Sequence, residues 1–180
     1  MNPKIEHLIR ELCKGQEDIL DNHILYVVRY SKQLAQQLGA DEEIVEIAAW
    51  LHDIKKLTGE KEDHHIHGAE EAETILKELN YPLEKIEKVK ECILTHSSDE
   101  RYPPQSIESK IVASADALAH FDNFAGVAYV AFHSRKLSRE EGRKWIIQKY
   151  QKSMKKIMPE AKEIVKEKYN AIKLLLNHLN

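Results

Sequence analysis

Apolar residues recur at intervals of three and four along almost the whole chain, and this spacing limits the fold more than any other feature. In an α-helix the spacing places apolar side chains on one face, whereas a half-buried strand requires strict alternation, which no run shows. Only 6 glycines and 5 prolines interrupt the 180 residues. The sequence therefore predicts an all-α fold.

Capping residues mark where several of the predicted helices begin and end. Gly39 ends the second helix, because glycine readily adopts the left-handed conformation that closes a helix, and Asp41 is a good N-cap for the third. Polar loops are predicted over residues 58–67 and, with two adjacent prolines, over residues 97–105. These signals divide the chain into helices that are joined by short polar connections.

The last part of the chain is highly charged and is predicted to form two long helices. The first is opened by the capping box Ser138-x-x-Glu141, and the second is predicted to reach Leu179. We expect residues 1–137 to form a helical core and residues 138–180 to form C-terminal helices that pack on it. Long helices of this kind are also compatible with a homodimer.

The composition is that of an ordinary globular protein, with 42% hydrophobic and 32% charged residues. The net charge of -3, with basic residues dispersed among acidic ones, gives no reason to expect a nucleic acid polymer as partner. The longest apolar stretch, from Phe124 to Phe132, is too short to span a membrane, and the N-terminus does not resemble a signal peptide. Cys13 and Cys92 are interpreted as reduced thiols, so a cytoplasmic location is expected.

Several His and Asp side chains lie on the faces that the apolar spacing turns inward. Leaving a buried polar group without a partner costs roughly 2–7 kcal/mol, depending on the reference state. A shared cation removes that cost, because neutral imidazoles and carboxylates are suitable ligands for divalent transition metals. The inward-facing residues are His23, His52, Asp53, His96 and Asp116.

Each of these residues alone also has a simpler explanation. A single histidine on an apolar face, such as His23, is more often a satisfied core residue, and Asp116 is explained equally well by a lysine partner. His120, one turn after Asp116, is expected on the helix surface, and the alternative is a position behind the metal ligands. The adjacent pair His52-Asp53 is harder to explain without a cation, because no solvated face is available for both side chains. A metal site is therefore the better interpretation of the set.

The order His23, His52-Asp53 and Asp116 resembles the HD superfamily of metal-dependent phosphohydrolases. The matching segments are DNHILYVVRYSKQLA, AAWLHDIKK, HGAEEAE, ILTHSS and SKIVASADAL, which together cover somewhat over half of the chain. The resemblance implies a helical bundle in which these four residues bind a divalent metal ion. The ion is Fe, Mn, Co, Ni, Zn or Mg, and one or two such ions are expected.

Members with two metal ions add two histidines between the doublet and the last Asp. His96 is similar to one of them, and His64 is favoured over His67 as the other because it precedes the Gly-Ala start of a helix by four residues. The resemblance implies that Asp53 bridges the two ions and that Lys56 neutralises phosphate oxygens in catalysis. A solvated lysine near a helix end explains Lys56 about equally well.

The function that the resemblance implies is hydrolysis of a phosphate ester, with a nucleotide or a related small phosphorylated metabolite as substrate. Two alternatives remain open at this stage. One is an HD-type diiron oxygenase that acts on a small polyol or phosphonate and uses the same six ligands. The other is a metal-binding regulatory module without turnover.

Overall fold

A computed structural model describes residues 3–177, which fold into helices without a strand, so the all-α prediction is confirmed. Within that range no helix combines the length and apolar character that crossing a membrane requires. Two π-helical turns (Leu20–Ile24 and Val130–Ser134) and a 3₁₀ segment (Pro159–Val165) accompany the α-helices. The α-helices are α1 (Pro3–Leu12), α2 (Glu17–Ile19), α3 (Leu25–Leu38), α4 (Glu42–Leu51), α5 (Ile54–Leu57), α6 (His64–Glu78), α7 (Leu83–Thr95), α8 (Ile107–Asp122), α9 (Phe124–Tyr129), α10 (Arg139–Lys156) and α11 (Lys166–Asn177).

Four helices form the centre of the bundle. Helix α3 packs against α4 and α8, α4 also packs against α7 and α8, and α6 lies on the outer side of α7. Their facing residues are the apolar ones that the spacing predicts, including the fully buried Leu34, Ile47, Val89 and Val112. Burial of such side chains is the dominant favourable term in folding, so these helices form a rigid frame for the polar residues near their ends.

The predicted helix ends agree with the capping geometry. Asp41 accepts hydrogen bonds from the first amides of α4, at 3.0 and 3.2 Å, and Gly39 closes α3 with a left-handed φ of 69°. The capping box of Ser138 and Glu141 is complete at the start of α10. Each of these contacts satisfies a backbone group that a helix end leaves without an intrahelical partner.

The predicted loop over residues 58–67 is too long. A short helix, α5, precedes it, and α6 begins at His64, so the first four residues of α6 were wrongly assigned to the loop. Three of these four residues are histidines, which are weak helix formers, and this favours a loop at the sequence level. The buried residues Ala72 and Leu76 pack α6 against the bundle, and this tertiary packing outweighs the local preference.

The C-terminal helices lie against α8. Tyr150 of α10 is fully buried, and its hydroxyl donates a hydrogen bond to the backbone carbonyl of His120 at 3.0 Å. The backbone amide of Met158 donates to Ser114 Oγ at 3.0 Å. The final helix is preceded by a 3₁₀ segment that begins at Pro159. Its predicted end at Leu179 lies outside the described residues.

Replacing Tyr150 with Phe is expected to lower the free energy of unfolding by about 1 kcal/mol, the usual net contribution of a buried hydrogen bond. Urea denaturation followed by circular dichroism measures the change. Tyr129→Phe is the matched control, because the side chain of Tyr129 is 58% exposed. An equal loss in both variants would show that the α10–α8 hydrogen bond does not stabilise the packing.

Candidate metal centre

The His52-Asp53 doublet lies where one helix stops and another starts. Helix α4 ends at Leu51, and Asp53 adopts φ -111° and ψ 18°, outside helical geometry, before α5 begins. In a continuous helix neighbouring side chains point about 100° apart. The break allows both side chains of the doublet to face the same space, and both are buried.

Four of the predicted residues converge on that space. His23 Nε2 lies 3.2 Å from His52 Nε2, 3.3 Å from Asp116 Oδ1 and 3.6 Å from Asp53 Oδ2. His23 belongs to the π-helical turn that precedes α3, and Asp116 lies in the middle of α8. Such turns are frequent at functional sites because they change the direction of a side chain within a helix.

A second group forms on the other oxygen of the same carboxylate. His96 Nε2 lies 3.4 Å from Asp53 Oδ1, and His64 Nε2 lies 3.7 Å from the same atom. The two imidazole Nε2 atoms are 3.4 Å apart. Asp53 therefore presents Oδ2 to one group of donors and Oδ1 to the other, the arrangement expected of a bridging carboxylate.

Backbone carbonyls orient three of the imidazoles. The Nδ1–H groups of His52, His96 and His64 donate to the carbonyls of the residues three positions earlier, at 2.7, 2.6 and 3.1 Å. Each ring then keeps the lone pair of Nε2 and directs it into the shared space. Metal-binding histidines are typically held in this way, by a hydrogen bond from the ring nitrogen that does not bind the metal.

The chemistry of these donors fits a metal ion. Asp53 Oδ1 is buried and lies 2.8 Å from the Lys56 ammonium, but no group in the described part of the chain donates to it with hydrogen-bond geometry. Ligand atoms about 2.0–2.2 Å from one ion lie roughly 3–3.5 Å from each other, close to the separations within each group. Neutral nitrogens with lone pairs at such short distances are stable only with a proton or a cation between them. His23, His52, Asp53 and Asp116 would hold one ion, and Asp53, His64 and His96 a second.

Protonation follows from burial and from the carboxylates. Burial lowers the pKa of His52 to about 3 and that of His64 to about 4, so both rings are neutral at pH 7. Burial opposes the charging of His23 too, but hydrogen bonds to Asp116 and Asp53 outweigh it and raise the pKa of His23 to about 9. In the metal-free chain this proton supplies part of the positive charge that the carboxylates require.

Two lysines contact the buried carboxylates. Lys56 Nζ lies 2.8 Å from Asp53 Oδ1 and donates a hydrogen bond to Oδ2 at 3.0 Å. Lys156, from α10, forms an ion pair with Asp116. Burial alone would raise the pKa values of both carboxyl groups, but their neighbours hold them well below their usual range: His52 and Lys56 act on Asp53, and Lys156 acts most strongly on Asp116. The ammonium of Lys56 thus contacts the site while 39% of the side chain is exposed, and its role in catalysis stays a prediction.

A polar cavity of about 160 Å³ opens onto both groups. Its lining includes His64, His96 and Lys56 together with residues of α10. The cavity residues that sequence reasoning missed are Ser97, Ser98, His120, Lys149, Lys152, Ser153 and Lys156. Five lysines are spaced along α10, and only its packing against α8 shows which of them face the site.

His120 corrects one expectation. The sequence predicts it on the helix surface, but its ring is half-buried and stacks on that of His23, with the ring centroids 5.5 Å apart. It also lies close enough to His23 and Asp116 to form a further three-residue donor group. The spacing of one turn from Asp116 was the available signal. This signal is not enough to place His120 in the site, because the helical pattern of α8 does not show that α10 covers this residue.

Among the neighbouring histidines the structure brings only His64 into contact with Asp53. His67 forms an ion pair with Glu60 away from the site, and His65 contacts Asp99 at 3.2 Å. The choice of His64 over His67 therefore agrees with the geometry, and the role of His64 as a metal ligand stays a prediction.

Comparison with known proteins follows the same residues. The HD domain family profile matches residues 20–120, which include all the predicted ligands. A crystal structure described as a predicted HD superfamily hydrolase, from an uncultured Thermotogales bacterium, is similar with a TM-score of 0.58 and 26% identity. The similarity covers 83% of this chain and 85% of that one.

A curated relative is longer. The tRNA (cytidine(56)-2'-O)-methyltransferase of Picrophilus torridus is 30% identical over 119 residues, which cover 61% of this chain and 34% of the relative. This chain thus spans about a third of that relative's length. The similarity supports a shared segment and leaves most of the methyltransferase outside the comparison.

The substitution His64→Ala is expected to reduce the metal content of the purified protein from about two ions per chain to about one. The second group of ligands would then keep only His96 and the shared Asp53. Elemental analysis of unreconstituted protein gives the ratio. His67→Ala, which removes an imidazole outside the site, should leave the ratio unchanged. A ratio near one in the unaltered protein would contradict the second site.

The metal-free chain is expected to be most stable near pH 6.5. The pKa values of His52, His64 and His120 are lowered in the folded state, so stability rises with pH until the unfolded histidines lose their protons, near 6.5. The pKa of His23 is raised to about 9, so its stabilisation is lost between 6.5 and 9. Each group contributes a slope of up to about 1.4 kcal/mol per pH unit.

Urea denaturation from pH 5 to 8.5, in the presence of a chelator, measures this profile. A free energy of unfolding that rises steadily up to pH 8.5 would show that His23 is not held protonated by the carboxylates.

Proposed function

The chain belongs to the HD domain family, and we propose that it is a metal-dependent phosphohydrolase that acts on a small phosphate ester, a nucleotide or a related phosphorylated metabolite. The observation that carries the proposal is the meeting of two groups of metal-ligand side chains with lysines in one cavity. The similar HD superfamily hydrolase supports a hydrolase. The methyltransferase activity in the other relative's name is not carried over, because this chain spans about a third of that protein.

The lysines favour an anionic substrate. Lys56 contacts both oxygens of Asp53, so its ammonium lies beside the atoms where a substrate would react. A positive charge fixed there stabilises the charge that develops on phosphoryl oxygens in the transition state, and burial strengthens the interaction. A neutral polyol would gain nothing from these charges.

The residues of the chain divide the work of hydrolysis. A divalent ion, when bound, lowers the pKa of a coordinated water to about 7 and polarises a phosphoryl oxygen. His52, His64 and His96 hold their Nε2 lone pairs in place through carbonyl-anchored Nδ1–H groups. The oxygen of water bonds to phosphorus, and the P–O bond to the leaving group breaks with its electron pair. One proton of the water ends on the leaving oxygen, and the other stays on the released phosphate.

The two alternative functions, an oxygenase and a regulatory module, differ from the proposed hydrolase in what the protein consumes and releases. A diiron oxygenase acting on a phosphonate would use the same cationic cavity, but an iron-loaded sample would then consume oxygen. A regulatory module would bind metal and release no phosphate from any ester. Incubation of the metal-loaded protein with a panel of nucleotides and sugar phosphates, with phosphate release and oxygen uptake both recorded, tests all three functions.

Phosphate release is expected to be lost in Asp53→Ala, because both groups share this carboxylate. Lys56→Gln should lower kcat by about 100-fold, in the range found for removal of one electrostatic contact to a transition state. Lys55→Gln is the matched control, because Lys55 lies beside it but pairs with Glu71 at 3.2 Å. Activity that survives in Asp53→Ala with metal still bound would overturn the proposal.

A further inference from the structure

One face of α10 carries three lysines toward the cavity. Lys149, Lys152 and Lys156 are spaced at i, i+3 and i+7, which places them on one side of the helix over about 10 Å. They lie outside residues 20–120, the part that the family profile matches. This row is therefore a feature of the C-terminal part of the chain and not of the matched segment.

Within the described residues, the row contains more lysines than carboxylates that pair with them. Lys156 is paired with Asp116, and across the cavity Lys56 is paired with Asp53. Among residues 3–177 neither Lys149 nor Lys152 has a carboxylate within ion-pair distance. Lys149 is also half-buried, which makes an uncompensated ammonium there unfavourable. An anion brought into the cavity would remove that cost.

We propose that Lys149 and Lys152 form a subsite for a second phosphoryl group, next to the one that is hydrolysed, so that the preferred substrate carries two or more linked phosphoryl groups. This rests on the proposed function, and it names the substrate class for the same site. Lys56 is placed to contact a phosphoryl group that binds at Asp53. The row on α10 begins at Lys156, beside Asp116, and continues for two helical turns to Lys149, so it can contact a second group. Ser97 and Ser98 line the same cavity and offer hydroxyl donors to phosphate oxygens.

Calorimetric titration of the metal-depleted full chain with inorganic phosphate, pyrophosphate and tripolyphosphate, at low ionic strength, tests the subsite without turnover. The unaltered chain should bind tripolyphosphate at least about tenfold more tightly than phosphate. In Lys149→Gln/Lys152→Gln this preference should fall to about twofold or less. Both side chains are at least partly exposed, so the variant is expected to fold, and its circular dichroism spectrum checks this.

Lys144→Gln/Lys155→Gln is the matched control. It removes the same charge from exposed positions of the same helix that do not line the cavity, so the preference for tripolyphosphate should be unchanged. An equal loss of preference in the two double variants would show that the effect is one of net charge, and it would overturn the subsite. Equal affinities of the unaltered chain for phosphate and tripolyphosphate would overturn it as well.

Kinetics of the metal-loaded protein separate this inference from the proposed function. If the two lysines form the subsite, the double variant Lys149→Gln/Lys152→Gln is expected to raise the KM for a nucleoside triphosphate about tenfold. The KM for p-nitrophenyl phosphate, which has one phosphoryl group, should be unchanged. An equal rise for both substrates would overturn the subsite while the phosphohydrolase assignment stands. A loaded protein that binds tripolyphosphate selectively but hydrolyses no phosphate compound would overturn the proposed function while the anion site stands.

Discussion

The burial of two carboxylates is the constraint on which the rest of this structure depends. Asp53 and Asp116 are only 5% and 7% exposed, and an isolated charge at such burial would be very costly. The chain meets this cost with positive groups from different parts of the sequence. Lys56 lies three residues after Asp53, the protonated His23 comes from the N-terminal part, and Lys156 comes from α10 in the C-terminal part. The site therefore forms only when these segments are packed together.

Local features of the helices orient the donors within that packing. The break after α4 turns the two members of the doublet the same way, and backbone carbonyls fix the tautomers of three imidazoles. These contacts are made by groups of the chain itself. They fix the direction of each donor through the packing of the helices and their backbone carbonyls.

A residue of the site can be predicted from the sequence when the pattern of its own helix shows which way its side chain points. His23, His52, His96 and Asp116 are predicted because they continue apolar faces at helical spacing, and Asp53 is predicted from its place beside His52. His64 follows only from the resemblance, because the sequence predicts a loop for its segment. Lys149 and Lys156 were not found, because a charged helix offers several similar faces. The face that α10 turns inward is set by Tyr150, which packs against another part of the chain.

The π-helical turn at residues 20–24 gives the length of this segment a meaning of its own. A π turn is an α-helix with one additional residue, and removing any one residue from it restores the regular register. Such a deletion would rotate the residues that precede it by about 100° relative to α3. If the deleted residue lies between His23 and α3, the histidine is among the rotated residues and moves away from Asp116. Loss of function in a descendant of this chain can thus arise from a deletion that leaves every ligand residue in the sequence. When homologues are compared, the spacing between His23 and α3 is as informative as the histidine itself.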